Sequence, residues 1–196
     1  MPYLADNFGA EGIIVKIGET LNGVPTMDDC FIEHVNAAVA AGLPYGIYYV
    51  SHAIDGDKLM EEAQWINDMM ASYLNGTVPE LGVWWDMEVY NVQRMSISQE
   101  LLDTIGTMQS WWNGCQKIGI YAQYSYFIDY LDLNQYAQYQ IPVWVAQYCY
   151  PENSLRAEYP ALHHVAWQWT THGENPGEEP LDDAGNAQDE NEWYGF

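Results

Sequence analysis

Two carboxylates at the end of an apolar run are the residues of this chain best placed to do chemistry. Asp86 and Glu88 lie in the segment Trp84-Trp85-Asp86-Met87-Glu88, whose β-rich composition predicts a strand. Alternation along a strand puts both acids on one face, about 6.6 Å apart. Glycoside hydrolases use two carboxyl groups with different pKa values, one as a protonated acid and the other as a carboxylate. Two solvated acids at a strand end would give the same pattern, and the spacing alone does not decide between these interpretations.

Other polar residues are weaker candidates. Glu19 ends a β-rich run that contains Lys16, one of five basic residues, so we expect Lys16 to need an acidic partner inside the fold. Ordinary strand-end charges would look the same. Asp189 precedes a terminal aromatic segment, and in isolation it is typical of a solvated loop. The five histidines show no metal-ligand spacing, so we expect no metal site.

Alternating strand and helix patterns must position these acids. Seven apolar runs predict strands, at residues 12–17, 45–50, 82–88, 118–122, 142–148, 164–169 and 192–195. Helical patterns cover residues 31–41, 57–73, 98–112 (with Ser98 as N-cap) and 124–130. This order predicts one α/β domain over residues 1–196 with a mostly parallel sheet, either a barrel or an open doubly wound sheet. No G-x-G-x-x-G or Walker-type loop is present, which counts against nucleotide binding.

The composition limits the partners of this 196-residue chain. Five Lys and Arg against 28 Asp and Glu give a formal net charge of -23, which argues against nucleic acids and anionic membrane surfaces. No apolar run reaches the roughly 18 residues of a membrane span, and the first residues lack a secretory signal pattern. The 9 Trp and 16 Tyr suit either sugar stacking or core packing.

Taken in order, these segments resemble glycoside hydrolase family 25, the lysozymes (muramidases) common among phage endolysins. The first matching segment is 12–19, which contains Lys16 and ends at Glu19. The others are 40–48, Asp86-Met87-Glu88, 118–121, 143–148, 167–170 and Asp189-Glu190-Asn191. Each motif is short, but seven in the family's order make the resemblance specific.

This resemblance implies a TIM-like (β/α)5(β)3 barrel that cleaves the β-1,4 bond between N-acetylmuramic acid and N-acetylglucosamine in bacterial cell-wall peptidoglycan, without cofactor or metal. It implies that Glu88 is the general acid, that Asp86 assists, and that Asp189 belongs to the same catalytic group. The remaining candidates would line the substrate groove: Glu19, Tyr48, Tyr121, Trp144 and Gln168.

The chain departs from the family's pattern at its start. The family opens with a strand carrying Gly-x-Asp-x-Ser, which residues 1–4 cannot supply, while Asp6 falls where the first helix would be. We therefore expect the first barrel strand and one active-site carboxylate to be missing, which exposes strand edges. A milder departure is Tyr49, at a position where the family usually has His.

Three hypotheses stay open from the sequence. The first is a peptidoglycan muramidase with full or residual activity, the second a catalytically impaired glycan-binding protein on the same scaffold, and the third a hydrolase of the same architecture that acts on another glycan. A second copy pairing with an exposed strand edge would give a homodimer. Without a signal peptide, the protein is expected to stay cytoplasmic until it is released to the cell wall, as from a phage or prophage, or to be secreted by another route.

Overall fold

One curled sheet of eight strands organises the chain. The computed structural model describes residues 10–89, 97–148, 151–170 and 189–196, and the strands lie side by side in the order β2-β1-β3-β4-β5-β6-β7-β8. The strands are β1 Ile13–Leu21, β2 Val24–Met27, β3 Tyr45–Val50, β4 Val83–Asp86, β5 Ile118–Gln123, β6 Pro142–Ala146, β7 His163–Thr170 and β8 Glu190–Trp193. The helices are α1 Phe31–Ala41, α2 Gly56–Tyr73, α3 Ser98–Trp111, α4 Tyr124–Tyr130, α5 Leu133–Gln138 and α6 Ser154–Glu158.

The central strands are parallel, and the outer strands at each end are antiparallel. Strands β1, β3, β4, β5, β6 and β7 pair in parallel, while β2 pairs antiparallel with β1 and β8 antiparallel with β7. In the register, Val50, Asp86 and Tyr121 form one row across β3, β4 and β5. The carboxyl ends of the parallel strands therefore meet at one edge of the sheet, where α/β folds place their ligands.

The two consecutive tryptophans on β4 lie on opposite faces of the sheet, in two different parts of the core. Trp85 points toward the helices and packs against Tyr49, with ring centroids 6.2 Å apart. Trp84 lies in a smaller cluster inside the curl, 5.6 Å from the ring of Trp144. Both indoles of β4 are fully buried, so core packing accounts for these two members of the aromatic excess.

A β-hairpin between β1 and β2 was not among the predicted strands. Asn22 and Gly23, with φ of 51° and 79°, form its two-residue turn, and Asn-Gly is the dipeptide that type I′ hairpin turns favour. The sequence therefore contained the signal, but the apolar run ending at Ile17 indicated a shorter strand. The hairpin extends β1 to Leu21, and it brings the number of strands to eight rather than seven.

The prediction of an α/β fold with a mostly parallel, barrel-like sheet is confirmed, in the form of a half-barrel. Within the described residues, strand pairing ends at β2 and β8. Residues 1–9, including Asp6, lie outside the described part of the chain, so the missing first strand stays a prediction, as does the homodimer.

Two local predictions about helix starts were wrong. Ile97 and not Ser98 is the N-cap of α3, because the Ser98 hydroxyl accepts a bond from the Asp132 backbone N–H instead, at 3.1 Å. Helix α2 begins at Gly56, one residue before the prediction, because the Asp55 side chain caps it by accepting from the Lys58 N–H at 2.9 Å.

Candidate active site

Asp86 and Glu88 mark the carboxyl end of β4. Asp86 is the last residue of the strand and is 5% exposed. Glu88 follows two residues later, beyond the strand rather than within it as predicted, and is half-buried. The Glu88 backbone N–H donates to Asp86 Oδ1 at 3.2 Å, so the first acid is oriented by the backbone of the second.

The Tyr121 side chain from the neighbouring strand β5 contacts Glu88, and it is itself bonded to Gln168. The Tyr121 hydroxyl on β5 lies 3.2 Å from Glu88 Oε1 and 2.5 Å from Gln168 Oε1 on β7. Tyr148, two residues beyond β6, donates to the same amide oxygen at 2.8 Å. Two predicted groove residues, Tyr121 and Gln168, are thus brought to the proposed acid. Tyr148 was missed as a site residue because its partner is 20 positions away in the sequence.

Burial and neighbouring charge set the ionisation of Glu88. Burial raises the pKa of the Glu88 carboxyl group and the negative charge of Asp189 raises it further, whereas a hydrogen bond donated by Tyr121 would lower it; the net direction is an increase. The raised pKa favours the protonated carboxyl group, which is the form that a general acid requires.

Tyr48 also faces this group of acids from β3. Burial raises the pKa of its hydroxyl group, followed by the charges of Asp86, Asp189, Asp28 and Glu88. The phenol therefore stays neutral over the ordinary pH range, as a hydrogen-bonding group with an apolar ring. Its position beside the acids is compatible with the predicted role in the groove.

Trp144 and Asp189 are linked through the last strand. Trp144 Nε1 donates to Asn191 Oδ1 at 2.7 Å, and the Trp144 ring lies 4.5 Å from that of Tyr121. Asp189 precedes β8 by one residue and is exposed. The indole is 7% exposed, so its observed contacts hold β8 and Tyr121 in place. Asn191 was not singled out from the sequence as a site residue, since its partner is 47 positions away.

Glu19 lies on β1, two strands away from β4 in the sheet. Its carboxylate pairs with Lys16 Nζ at 3.1 Å and lies 3.8 Å from His52 Nε2. The expectation that Lys16 has an acidic partner is confirmed. The structure therefore places Glu19 in a local charge pair at the carboxyl end of β1, separate from the cluster around Glu88.

A buried glutamate on α2 supports this side of the sheet, and the sequence analysis missed it. Glu62 is 2% exposed and accepts bonds from Thr20 Oγ1 at 2.6 Å, Ser51 Oγ at 2.7 Å and the His52 backbone N–H at 3.1 Å. Thr20 is on β1 and Ser51 follows β3 directly. One carboxylate thus joins the carboxyl ends of two strands to a helix.

Metal-ligating clusters and membrane-spanning helices are both absent from the described ranges of the chain. Residues 10–89, 97–148, 151–170 and 189–196 contain no group of three or more His, Cys, Asp or Glu arranged to hold a metal ion. No helix in this part of the chain has the length and apolar character needed to cross a membrane.

Known proteins resemble the chain at the level of fold. The Streptococcus pneumoniae modular autolysin LytC, solved with a synthetic peptidoglycan ligand, matches with a TM-score of 0.69 and 18% identity over 88% of this chain and 39% of its own. The Clostridium perfringens spore cortex lytic enzyme SleM matches with a TM-score of 0.72 and 19% identity, over 97% of this chain and 61% of its own. The Streptomyces coelicolor lysozyme matches with a TM-score of 0.69 and 19% identity, over 99% of this chain and 86% of its own.

The chain therefore spans less than two thirds of the length of the autolysin and of SleM. A comparison with curated proteins gives no match. The model of glycosyl hydrolases family 25 matches residues 4–178. Because this match spans well over half of the 196 residues, the chain belongs to glycosyl hydrolases family 25.

Proposed function

We propose that the chain is a peptidoglycan muramidase that cleaves the β-1,4 bond between N-acetylmuramic acid and N-acetylglucosamine, and that residues 1–196 form a single catalytic domain. The observation that carries the proposal is Glu88, a half-buried acid with a raised pKa at the carboxyl end of β4. Family membership and the lysozyme and lytic enzymes among the structural neighbours support peptidoglycan as the substrate class.

Glu88 is the general acid in this proposal. Its carboxyl proton is transferred to the glycosidic oxygen as the bond from that oxygen to the anomeric carbon of N-acetylmuramic acid breaks. The N-acetylglucosamine side leaves with a hydroxyl group, and Glu88 remains as a carboxylate. That carboxylate then takes a proton from the water that completes hydrolysis.

Asp86 and Asp189 assist by charge. Asp86 is held by the Glu88 backbone N–H, and it orients the N-acetyl group of the substrate whose carbonyl oxygen attacks the anomeric carbon. Asp189 adds negative charge near Glu88. This charge raises the pKa of the acid before reaction and stabilises the positive charge that develops on the sugar ring.

The groove residues bind the glycan in different ways under this proposal. Tyr48 and Tyr121 offer ring faces and hydroxyl groups, and the Gln168 amide donates to a sugar oxygen. Glu19, at the β1 side, accepts from sugar hydroxyls or amides. Trp144 contributes through its bond to Asn191, which keeps β8 beside the groove.

Mass spectrometry of the soluble products from purified peptidoglycan tests the proposal. The parent should release fragments with reducing-end N-acetylmuramic acid. Glu88→Gln should release none, because the amide has no transferable proton, and Glu33→Gln, an exposed acid on α1, should behave like the parent. Equal hydrolysis by Glu88→Gln would refute the assignment of the acid.

The same experiment separates the other two hypotheses. No fragments from the parent, together with saturable binding to peptidoglycan, would establish a catalytically impaired glycan-binding protein. Products from chitin oligomers but not from peptidoglycan would establish a hydrolase of another glycan. The proposed substrate lies outside the bacterial cytoplasm, so the protein acts after release to the cell wall or after secretion.

A further inference from the structure

The Tyr121 hydroxyl group has one proton, and besides the neighbouring Tyr148 hydroxyl group two side-chain acceptors lie within its reach. Its oxygen lies 2.5 Å from Gln168 Oε1 and 3.2 Å from Glu88 Oε1. A single O–H bond cannot point along both directions, so one of the two contacts does not receive the phenolic proton. Which of the two receives it determines whether Tyr121 stabilises the charged form of Glu88.

Hydrogen-bond lengths favour Gln168 as the acceptor. A hydroxyl donating to an ionised carboxylate normally approaches to about 2.5–2.7 Å, whereas the contact with Glu88 is 3.2 Å. The 2.5 Å contact with Gln168 fits an O–H···O bond and is shorter than the roughly 2.7 Å minimum of an N–H···O bond. The atom that faces Tyr121 is therefore the amide oxygen.

A second hydroxyl group supports the same orientation of the amide. Tyr148 donates to Gln168 Oε1 at 2.8 Å, and a carbonyl oxygen has two lone pairs, so it can accept both phenolic protons. Gln168 is 2% exposed, and its backbone oxygen accepts from the Gln147 N–H at 3.1 Å. Because the side chain is buried, bulk water does not compete with the two phenols for the amide oxygen.

We propose that Gln168 is a positioning residue whose amide oxygen accepts the Tyr121 proton and thereby turns that proton away from the Glu88 carboxyl group. With the proton withdrawn, Tyr121 presents a lone pair to Glu88 and accepts from the carboxyl group in its protonated form. This inference rests on the proposed role of Glu88 as the acid, but it concerns the ionisation of Glu88 and can be tested without measuring hydrolysis.

The other groups around Glu88 do not offset this arrangement. Within residues 10–89, 97–148, 151–170 and 189–196, the titratable side chains that face the acid are Asp86 on β4, Asp189 before β8, Tyr121 on β5, Tyr148 after β6 and Tyr48 on β3. All are acids or neutral phenols, so each adds either negative charge or no charge. Removing the Gln168 acceptor is therefore expected to supply the carboxylate with its strongest donor.

Carbon-13 NMR of selectively labelled glutamate carboxyl groups, with Glu88 assigned through Glu88→Gln, measures the titration midpoint directly. Gln168→Met keeps the side-chain length and removes the acceptor. We expect the Glu88 midpoint to fall by about one pH unit, the size that one charge-assisted hydrogen bond supports. In a Tyr121→Phe background, Gln168→Met should leave the midpoint unchanged, because there is no proton to redirect.

Tyr148→Phe is the matched control, since it removes a hydroxyl group from Gln168 and from beside Tyr121 but leaves the bond between Tyr121 and Gln168 in place. Its Glu88 midpoint should match that of the parent. An unchanged midpoint in Gln168→Met, or an equal fall with and without the Tyr121 hydroxyl group, would overturn the proposal.

If Gln168→Met does not fold, the Glu88 titration midpoint of Tyr121→Phe alone tests the proposal. The midpoint should then stay the same or fall, because the lost hydroxyl group did not donate to the carboxylate and accepted only from the protonated carboxyl group. A rise of about one unit would show that it was donating, and would overturn the proposal. The expected shifts in a protein that releases no peptidoglycan fragments would support the positioning role while refuting the muramidase assignment.

Discussion

Glu62 gives the sharpest stability prediction, because one buried carboxylate satisfies three donors. Glu62→Leu fills a similar volume but leaves the Thr20 and Ser51 hydroxyl groups and the His52 backbone N–H without their acceptor. A buried donor without a partner costs about 1–3 kcal/mol. The hydroxyl groups can rotate to other acceptors, and Thr20 already lies 2.7 Å from the Tyr49 hydroxyl group. We therefore expect a loss of about 3–5 kcal/mol in the free energy of unfolding.

Glu62→Gln should cost less, about 1–2 kcal/mol. Its amide oxygen still accepts from Thr20 and His52, and Ser51 can rotate to accept from the amide nitrogen. Chemical denaturation at fixed pH measures both variants. Glu61→Gln is the control, because Glu61 pairs only at the surface with Lys58, and its unfolding midpoint should equal that of the parent. A Glu62→Leu variant as stable as Glu62→Gln would refute the reasoning, since it would show that the three donors do not depend on this carboxylate.

Two further predictions concern the acid and the packing inside the curl. Asp189→Asn removes a negative charge that raises the pKa of Glu88, so the alkaline limb of the activity profile should move to lower pH, by about half a unit; a shift to higher pH would contradict this. Gly119→Ala should destabilise the protein by about 1–3 kcal/mol in thermal unfolding, because a Cβ there would lie 2.5 Å from the Pro142 oxygen and 2.6 Å from Trp84 Cζ3. Gly106→Ala in α3 is the control: a Cβ there meets nothing within 4 Å and should stabilise by about 0.5–1 kcal/mol. Equal destabilisation by both alanines would contradict the packing argument.

Local patterns in the sequence predicted most of the elements. Apolar runs and helical periodicity located seven of the eight strands and the three long helices, because burial on one or both faces determines those patterns. The errors were at boundaries and turns. Asn22-Gly23 and the Asp55 cap act through one or two hydrogen bonds, which a search for periodicity does not register.

The candidate site was predictable only in part. Asp86 and Glu88 were recognisable because two acids that end an apolar strand are unusual, and family motifs indicated Tyr121 and Gln168. Tyr148, Asn191 and Glu62 have partners between 10 and 47 positions away. Asn191 stands in the quoted motif Asp189-Glu190-Asn191, but its bond to Trp144, like the contacts of Tyr148 and Glu62, depends on which elements become neighbours, and local patterns do not show this.

The extension of β1 beyond its parallel partner has a dynamic consequence. Pairing with β3 ends at Glu19 and Val50, so the tip of the hairpin, from Thr20 to Pro25, has ladder contacts only within itself. An isolated two-stranded hairpin is marginally stable in water, and Leu21 and Val24 are 45% and 62% exposed. We therefore expect the hairpin tip to open and close as a local unit while the rest of the sheet stays folded. The hydrogen bond between Thr20 and Glu62 holds the base of this tip against α2. We therefore expect a low local unfolding free energy for the exposed tip alone, whereas Glu88 follows a strand that is paired on both sides within the sheet.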